Sequence, residues 1–196
     1  MRTRNIDKQE LVKQKTIEMI VSDGLDKFSI NKLARACNIS VATIYIYYKD
    51  KDDLITKVGI EEGRRMSEAT LEGFDPNAGF EEGLRVQWRN RAKFMMTNKT
   101  AQLFFEQLRS SSYQEKIFES IRKYFSDTLG KFMKKCIERK EINPMPIEVY
   151  WSVAFAPLYN LIRFHQEGKS LAGKKFRLND KLIWQTFDLV LKGLRP

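Results

Sequence analysis

An all-helical fold is the expectation for this chain, and three observations predict it. Glycine and proline number only 10 and 5 in 196 residues. Apolar residues recur at three- and four-residue intervals through nearly every segment, the spacing of one face of an α-helix. Alternating apolar and polar residues, the mark of a half-buried strand, are scarce. With 42% hydrophobic residues, the chain has the material for a sizeable core.

The elements follow in order. Leu11, Ile17, Ile20 and Val21 mark a first helix that stops near Asp23-Gly24, where glycine supplies a left-handed terminus. Ser29 caps a short second helix carrying Ile30, Leu33 and Ala34. Ser40 caps a third that runs through Tyr47. Between these two the turn needs a left-handed residue, and Asn38 is among the few non-glycine types that tolerate one. A fourth helix starts near Asp50 and continues to about Glu72. GFDPNAG (73–79) then breaks the chain, since Gly, Pro, Asp and Asn cluster there. Phe80, Leu84, Trp88, Ala92 and Met95 line one face of a fifth helix. A sixth covers about Ala101 to Arg109, followed by the turn SSSY. Ile117, Ile121, Tyr124, Thr128, Phe132 and Cys136 keep helical spacing along a seventh, which INPMP stops. The eighth spans about Ile147 to Gln166 with Pro157 inside it, and a proline there lacks an N–H and kinks the helix. EGKSLAGKKF is a basic loop. The ninth runs from about Asn179 to Leu194, with Leu182, Ile183, Phe187, Val190 and Leu194 on one face. About nine helices are therefore expected, with no internal repeat.

Charge and residue inventory narrow the function. The net charge of +10 favours an anionic partner such as nucleic acid. It is not concentrated at one end: residues 1–60 hold 11 Lys/Arg against 8 Asp/Glu, and residues 61–196 hold 24 against 17. The basic clusters Lys131 to Lys140 and Lys169 to Arg177 read as solvated faces. No apolar run approaches the ~20 residues of a membrane span. MRTRNIDKQE is basic with no apolar stretch behind it, so it does not read as a secretory signal. Cys37 and Cys136 form no motif and read as reduced, buried thiols of a cytoplasmic protein. An enzyme is not expected. The single histidine, His165, lies near the end of an apolar helix, no Cys/His group has metal-ligand spacing, and Gly59 and Gly63 belong to no phosphate loop. No cofactor and no metal are expected.

The stretch NISVATIYIYYKDKDDL (38–54) places three tyrosines and two isoleucines within five residues. Two short helices joined by a tight turn make a helix-turn-helix, here about 29–48, whose second helix enters the major groove of DNA. At 100° per residue, Ile44 and Tyr48 face inward with Val41 at the edge, while Ala42, Thr43, Ile46 and Tyr47 point outward and Tyr45 lies between. An outward isoleucine and tyrosine suit a surface that meets thymine methyls and phosphate oxygens. Lys51 then opens the fourth helix, where Asp50, Asp52 and Asp53 complement the helix dipole.

FSINKLARACNISVATIYIYYKDKDDL resembles the DNA-binding domain of the TetR-type (tetracycline-repressor-like) regulators. Leu33-Ala34, Ile39-Ser40, Thr43-Ile44-Tyr45, Tyr48, Lys51 and Leu54 carry the likeness, which covers about Glu10 to Val58. Asn38 stands where the family usually has glycine, Val41 where it has a smaller residue, and Tyr48 where phenylalanine is more frequent. The resemblance implies an all-helical homodimer, with a DNA-binding domain over 4–64 and an effector-binding and dimerisation domain over 65–196. It implies DNA contacts by Thr43, Tyr45, Tyr47 and Lys51, with Ser29 touching phosphate and Asn31 reaching a base edge. Ser40, Val41, Ala42 and Ile46 complete the expected surface, where Val41 and Ala42 offer apolar contact rather than hydrogen bonds. Arg2 and Arg4 lie in an arm suited to a minor groove.

Trp88, Phe105, Tyr124, Phe155 and Tyr159 are the expected lining of a pocket for a small apolar or aromatic effector; plain core packing is the other reading of the same residues. Val153, Ala154, Leu158, Leu161 and Ile162, with Ile183, Phe187, Val190 and Leu194, are the expected dimer interface, a four-helix bundle with two-fold symmetry. Two functions follow: a repressor released from a palindromic operator by an effector, or a ligand-independent DNA-binding protein whose C-terminal domain serves assembly or partner proteins.

Overall fold

Ten α-helices are found among the described residues of a computed structural model, which describes the backbone of residues 2–196 and the side chains of residues 8–196. They are α1 (Arg2–Asp23), α2 (Ile30–Ala36), α3 (Val41–Tyr45), α4 (Lys51–Leu71), α5 (Phe80–Thr97), α6 (Lys99–Arg109), α7 (Gln114–Glu138), α8 (Ile147–Ala154), α9 (Ala156–Glu167) and α10 (Asp180–Leu194). No strand occurs among the described residues, and an isolated bridge between Lys169 and Lys175 closes the basic loop. Arg2 and Arg4, proposed above as a DNA-binding arm, have side chains outside the described residues.

The spacing predicts one kinked helix over Ile147–Gln166, and the structure has two. Phe155 leaves helical geometry at φ −126° and becomes the junction, with Pro157 in the first turn of α9. Proline fits a first turn because no N–H is needed there. The carbonyl of Ala154, at the junction, accepts the indole N–H of Trp88 at 2.8 Å.

The chain divides into two compact units. One takes residues up to Met66 together with Asn98–Tyr124; the other takes Ser67–Thr97 and Phe125–Pro196. The helix-turn-helix therefore shares its unit with α6 and the first part of α7, which the expected cut at 64/65 assigns to the other domain.

In the first unit Val12, Ile20, Leu33, Ile44, Leu54, Ile55, Phe104, Leu108 and Ile117 are buried. Gly59 and Gly63, one turn apart on α4, lie against Ile117 and Leu108 and against Ile121, and a Cβ at either position would run into those side chains. The glycines thus let α7 approach α4 closely. Tyr113, just before α7, donates a 2.6 Å hydrogen bond to Asp52. Burial, and then that carboxylate, raise its phenol pKa. Lys13 ties α1 to α4 by pairing with Glu61 at 3.0 Å.

In the second unit Phe132 is fully buried, stacked near Phe80 and edge-on to Phe74, and Gly83 is where its ring finds room. Glu141 accepts the Phe80 N–H at 2.6 Å, satisfying an orphan donor at the start of α5. The helix α7 ends before the expected stop at INPMP. Lys140 adopts φ 57°, and the N–H groups of Lys140 and Glu141 close back onto Ile137 and Cys136, each at 2.9 Å. This is the Schellman arrangement.

The expected dimer interface needs correction. Ala154, Leu158, Ile162, Ile183, Phe187, Val190 and Leu194 are buried within the chain itself, because α10 packs on α5, α8 and α9 of its own unit. They are core, with no free face to offer. Val153 remains exposed and Leu161 half-buried, and the outward apolar residues are instead Ile147, Val149, Trp151 and Leu189.

Candidate nucleic-acid interface

Local hydrogen bonds build this surface. The Ser29 hydroxyl accepts the Lys32 N–H at 3.3 Å and starts α2. Cys37 follows the last helical residue, and Asn38 takes φ 53°. The N–H groups of Asn38 and Ile39 reach back to Arg35 and Ala34 at 3.1 and 3.0 Å. The turn is a Schellman closure that requires the left-handed residue. Ser40 then caps α3, its hydroxyl accepting the Thr43 N–H at 3.1 Å and lying 2.8 Å from the Thr43 hydroxyl.

Helix α3 ends at Tyr45, two residues before the expected end at Tyr47. Tyr47 and Tyr48 both direct their N–H groups to the Ile44 carbonyl at 3.0 Å, which tightens the last turn. Ile44 and Tyr48 are buried as expected. The angular reading does not extend to Ile46 and Tyr47, which lie in the turn. The consequence is favourable for recognition: Ile46 is 74% and Tyr45 51% exposed, so an isoleucine and a phenol project from the end of a short helix. Ala42 and Asn31 are exposed as well, while Val41, Thr43, Tyr47 and Ser29 are half-buried.

Helix α4 opens with its own cap. Asp50 accepts the Asp53 N–H at 2.8 Å, and Asp53 accepts the Lys49 N–H at 2.9 Å. The hydrogen bond from Lys57, then that from the Lys49 backbone, hold the Asp53 carboxyl below its ordinary range. Lys51 is half-buried; its ammonium donates to the Leu25 carbonyl at 3.2 Å and lies 5.9 Å from the Phe28 ring centre. An ammonium has three donors, so two remain for a phosphate. Sequence reasoning overlooked Lys27, Lys32, Arg35 and Lys49, which are all exposed. Their signal was present: these cations flank the caps Ser29 and Ser40 and the turn that follows α3. Apolar tips, hydroxyls and cations together suit a groove with methyl groups at its floor and phosphates at its rims.

The expected effector lining falls in two places. Trp88, Phe155 and Tyr159 belong to the second unit, the first two fully buried and Tyr159 half-buried with its hydroxyl at 2.7 Å from Arg91 Nη1. Phe105 and Tyr124 belong to the first unit, where Phe105 packs on Phe104 and Phe118 and Tyr124 is exposed. The residues that accompany Trp88 inside the second unit are Gln87 and Arg91, which sequence reasoning missed. Spacing was the available signal: 84, 87, 88, 91, 92 and 95 form one wide stripe at helical period. Both cysteines are free and buried, and burial raises both thiol pKa values. Among the described residues no His/Cys/Asp/Glu group is arranged to hold a metal, and no helix is long and apolar enough to cross a membrane.

Residues 14–58 match the family described as bacterial regulatory proteins, tetR family. An HTH-type transcriptional regulator of Haemophilus influenzae, itself uncharacterized, is 35% identical over 101 residues, which is 51% of this chain and about half (54%) of that protein's length. The crystal structure of a TetR family transcription regulator from Marinobacter aquaeolei VT8 superposes with TM-score 0.87 at 23% identity, covering 99% of this chain and 98% of that one. The transcriptional regulator FadR from Bacillus subtilis, solved in complex with stearoyl-CoA, superposes with TM-score 0.74 at 18% identity over 95% of this chain and 99% of that one. At these identities the superpositions speak to the fold.

Proposed function

We propose that the chain is a transcription regulator of the TetR type, a cytoplasmic homodimeric repressor that binds an inverted-repeat operator and is released from it by a small molecule; the match of residues 14–58 to the tetR family supports this reading. One observation carries the DNA-binding half: Tyr45 at the end of α3 and Ile46 just after it are exposed, on a helix held by the Asn38 turn and the Ser40 cap. Ser29, Thr43, Tyr47 and Lys51 supply phosphate contacts, as do Lys27, Lys32 and Lys49. Asn31, Val41, Ala42 and Ile46 meet base edges.

Two recognition helices related by a two-fold axis select two half-sites. The exposed apolar residues of α8–α10, including Val153 and Leu189, together with the half-buried Leu161, are the surface assigned to pairing, since a lone protomer would leave exposed apolar side chains in water. The double change Leu161→Glu with Leu189→Glu is expected to give monomers in sedimentation that no longer hold DNA. Dimers surviving that change would reject the assignment.

Effector release finds support in the fold relative that binds stearoyl-CoA. The helix α4 runs from the first unit, where Lys51 stands, into the second. In this reading an effector acts on the DNA-binding residues through α4, whose first residue is Lys51. Linkage requires that DNA weaken the effector by the same factor. The alternative, ligand-independent binding with assembly or partner proteins on the C-terminal domain, draws on the complete burial of Trp88 and Phe155. Selection from a random duplex pool tests the DNA half. An inverted repeat should emerge, and recovery of no consensus would end the proposal.

A further inference from the structure

Arg91 is 2% exposed, in the interior of the second unit. Its guanidinium has no carboxylate partner among the described residues. Nη1 meets the Tyr159 hydroxyl, while Nε and Nη2 have no hydrogen-bond acceptor. Phe155, Trp151 and Phe125 face the group at 4.2, 4.9 and 5.7 Å to their ring centres. One turn earlier on α5, Gln87 is 1% exposed, and neither its amide oxygen nor its amide nitrogen has a partner.

A guanidinium cannot escape burial by losing its proton. Aromatic faces offset part of the cost, and a phenol accepts one hydrogen bond, but neither brings a negative charge. Water can fill hydrogen bonds without balancing charge. The two unpartnered nitrogens are informative together. Nε and Nη2 form one edge of the guanidinium, two parallel N–H donors at the spacing of the two oxygens of a carboxylate. The Gln87 amide, four residues earlier on the same helical face, adds a further donor.

We propose that Arg91 and Gln87 form a binding site for the carboxylate of an apolar or aryl acid, whose body lies among the rings of Phe125, Trp151, Phe155 and Tyr159. One cation in apolar surroundings balances one negative charge, which favours a carboxylate over a doubly charged phosphate. Trp151 is partly exposed and packs on both Phe155 and Tyr159, so the aromatic cluster extends from Arg91 to the surface, and a ligand would enter by displacing these rings. This inference rests on the effector-control reading and amends it: the effector carries an anionic head where the sequence predicts a small apolar or aromatic compound.

The test uses the full-length protein, with decanoate and phenylacetate as probes and decanamide and phenylacetamide as their neutral counterparts. Calorimetric titration and thermal shift are run on wild type, Arg91→Met, Arg91→Lys and Gln87→Leu. The acids are expected to bind at least tenfold tighter than the amides. Arg91→Met should abolish that difference while melting cooperatively; Arg91→Lys should weaken it, having lost the paired donors; Gln87→Leu should weaken acid binding several-fold. Equal binding of acids and amides, undiminished acid binding by Arg91→Met, or no binding of either acid would overturn the site. Release of the selected operator duplex is measured separately. An acid that binds through Arg91 without releasing DNA upholds the site and removes effector control. A neutral compound that releases DNA equally from wild type and Arg91→Met upholds effector control and removes the carboxylate site.

Discussion

The unit that carries the helix-turn-helix and the unit that carries Arg91 differ in how they treat polar groups. In the first, the caps, the turn and the opening of α4 are each closed by a neighbour a few residues away: Ser29 to Lys32, Asn38 to Arg35, Ser40 to Thr43, Asp50 to Asp53. In the second, the four buried side-chain atoms found without a partner all sit on Gln87 and Arg91. An unpartnered buried polar group is costly. The polar groups of the head are closed locally, whereas among the described residues the other unit buries three donors and one acceptor, the Gln87 amide oxygen, without a partner. The difference teaches where to look for each function: the head's chemistry is on its surface, the other unit's chemistry is inside.

The contrast is sharpened first by core deletion. Phe132→Ala removes a ring with no exposed surface and should cost about 3–5 kcal/mol, read as a shift in the urea midpoint. A cost under about 1 kcal/mol would show that the second unit is not organised around that ring. Glycine replacements come next. Gly63→Ala puts a Cβ into Ile121 and should cost about 1–3 kcal/mol. Gly130→Ala, which meets nothing within 4 Å in the exposed middle of α7, should stabilise by about 0.5–1 kcal/mol. Thermal melts with the two changes in the same direction would show the close approach of α7 to be wrong.

The two left-handed non-glycine residues give a finer comparison, one in each unit. Asn38→Val should cost about 1–2 kcal/mol, and Asn38→Gly should be near neutral because asparagine already tolerates the conformation. Lys140→Gly should stabilise by about 1 kcal/mol, because lysine does not. Denaturant curves showing Lys140→Gly neutral would remove the strain assigned to the end of α7. The smallest effect is expected at Ile46→Ala. Stability should change by less than about 0.5 kcal/mol, while base preference in a duplex selection changes. An unaltered preference would take Ile46 out of the recognition surface.

The head was largely legible because its determinants are local. Asn38, Ser29 and Ser40 each specify a backbone conformation within four residues, and Ile44 and Tyr48 lie on one face of a single turn. Where legibility failed in the head, it failed by two residues, since nothing in Ile46-Tyr47 signals that α3 tightens. The second unit was legible as helices but not as packing. Phe187, Ile183 and Leu194 read as surplus because their cover comes from α5, α8 and α9, distant in sequence. Lys140 carries no signal for a left-handed end; its neighbours impose it. Phe105 and Tyr124 look like companions of Trp88, yet they belong to another unit, and Arg91 looks like a solvated cation. Only the wide stripe along α5 hinted that it turns inward.

The most direct measurement is fluorescence anisotropy of the full-length protein on its selected inverted repeat and on a scrambled duplex of equal composition, through a salt titration. The account predicts a preference for the repeat of on the order of 10³ or more at physiological salt. It also predicts a log–log salt slope of about −0.9 per neutralised phosphate on the repeat. Lys51→Ala and Tyr45→Ala should weaken both duplexes, and Lys51→Ala should also flatten the slope, while Ile46→Ala should reduce the preference between duplexes. Equal affinity for repeat and scramble across the titration would contradict the assignment of α3 as a sequence-reading surface.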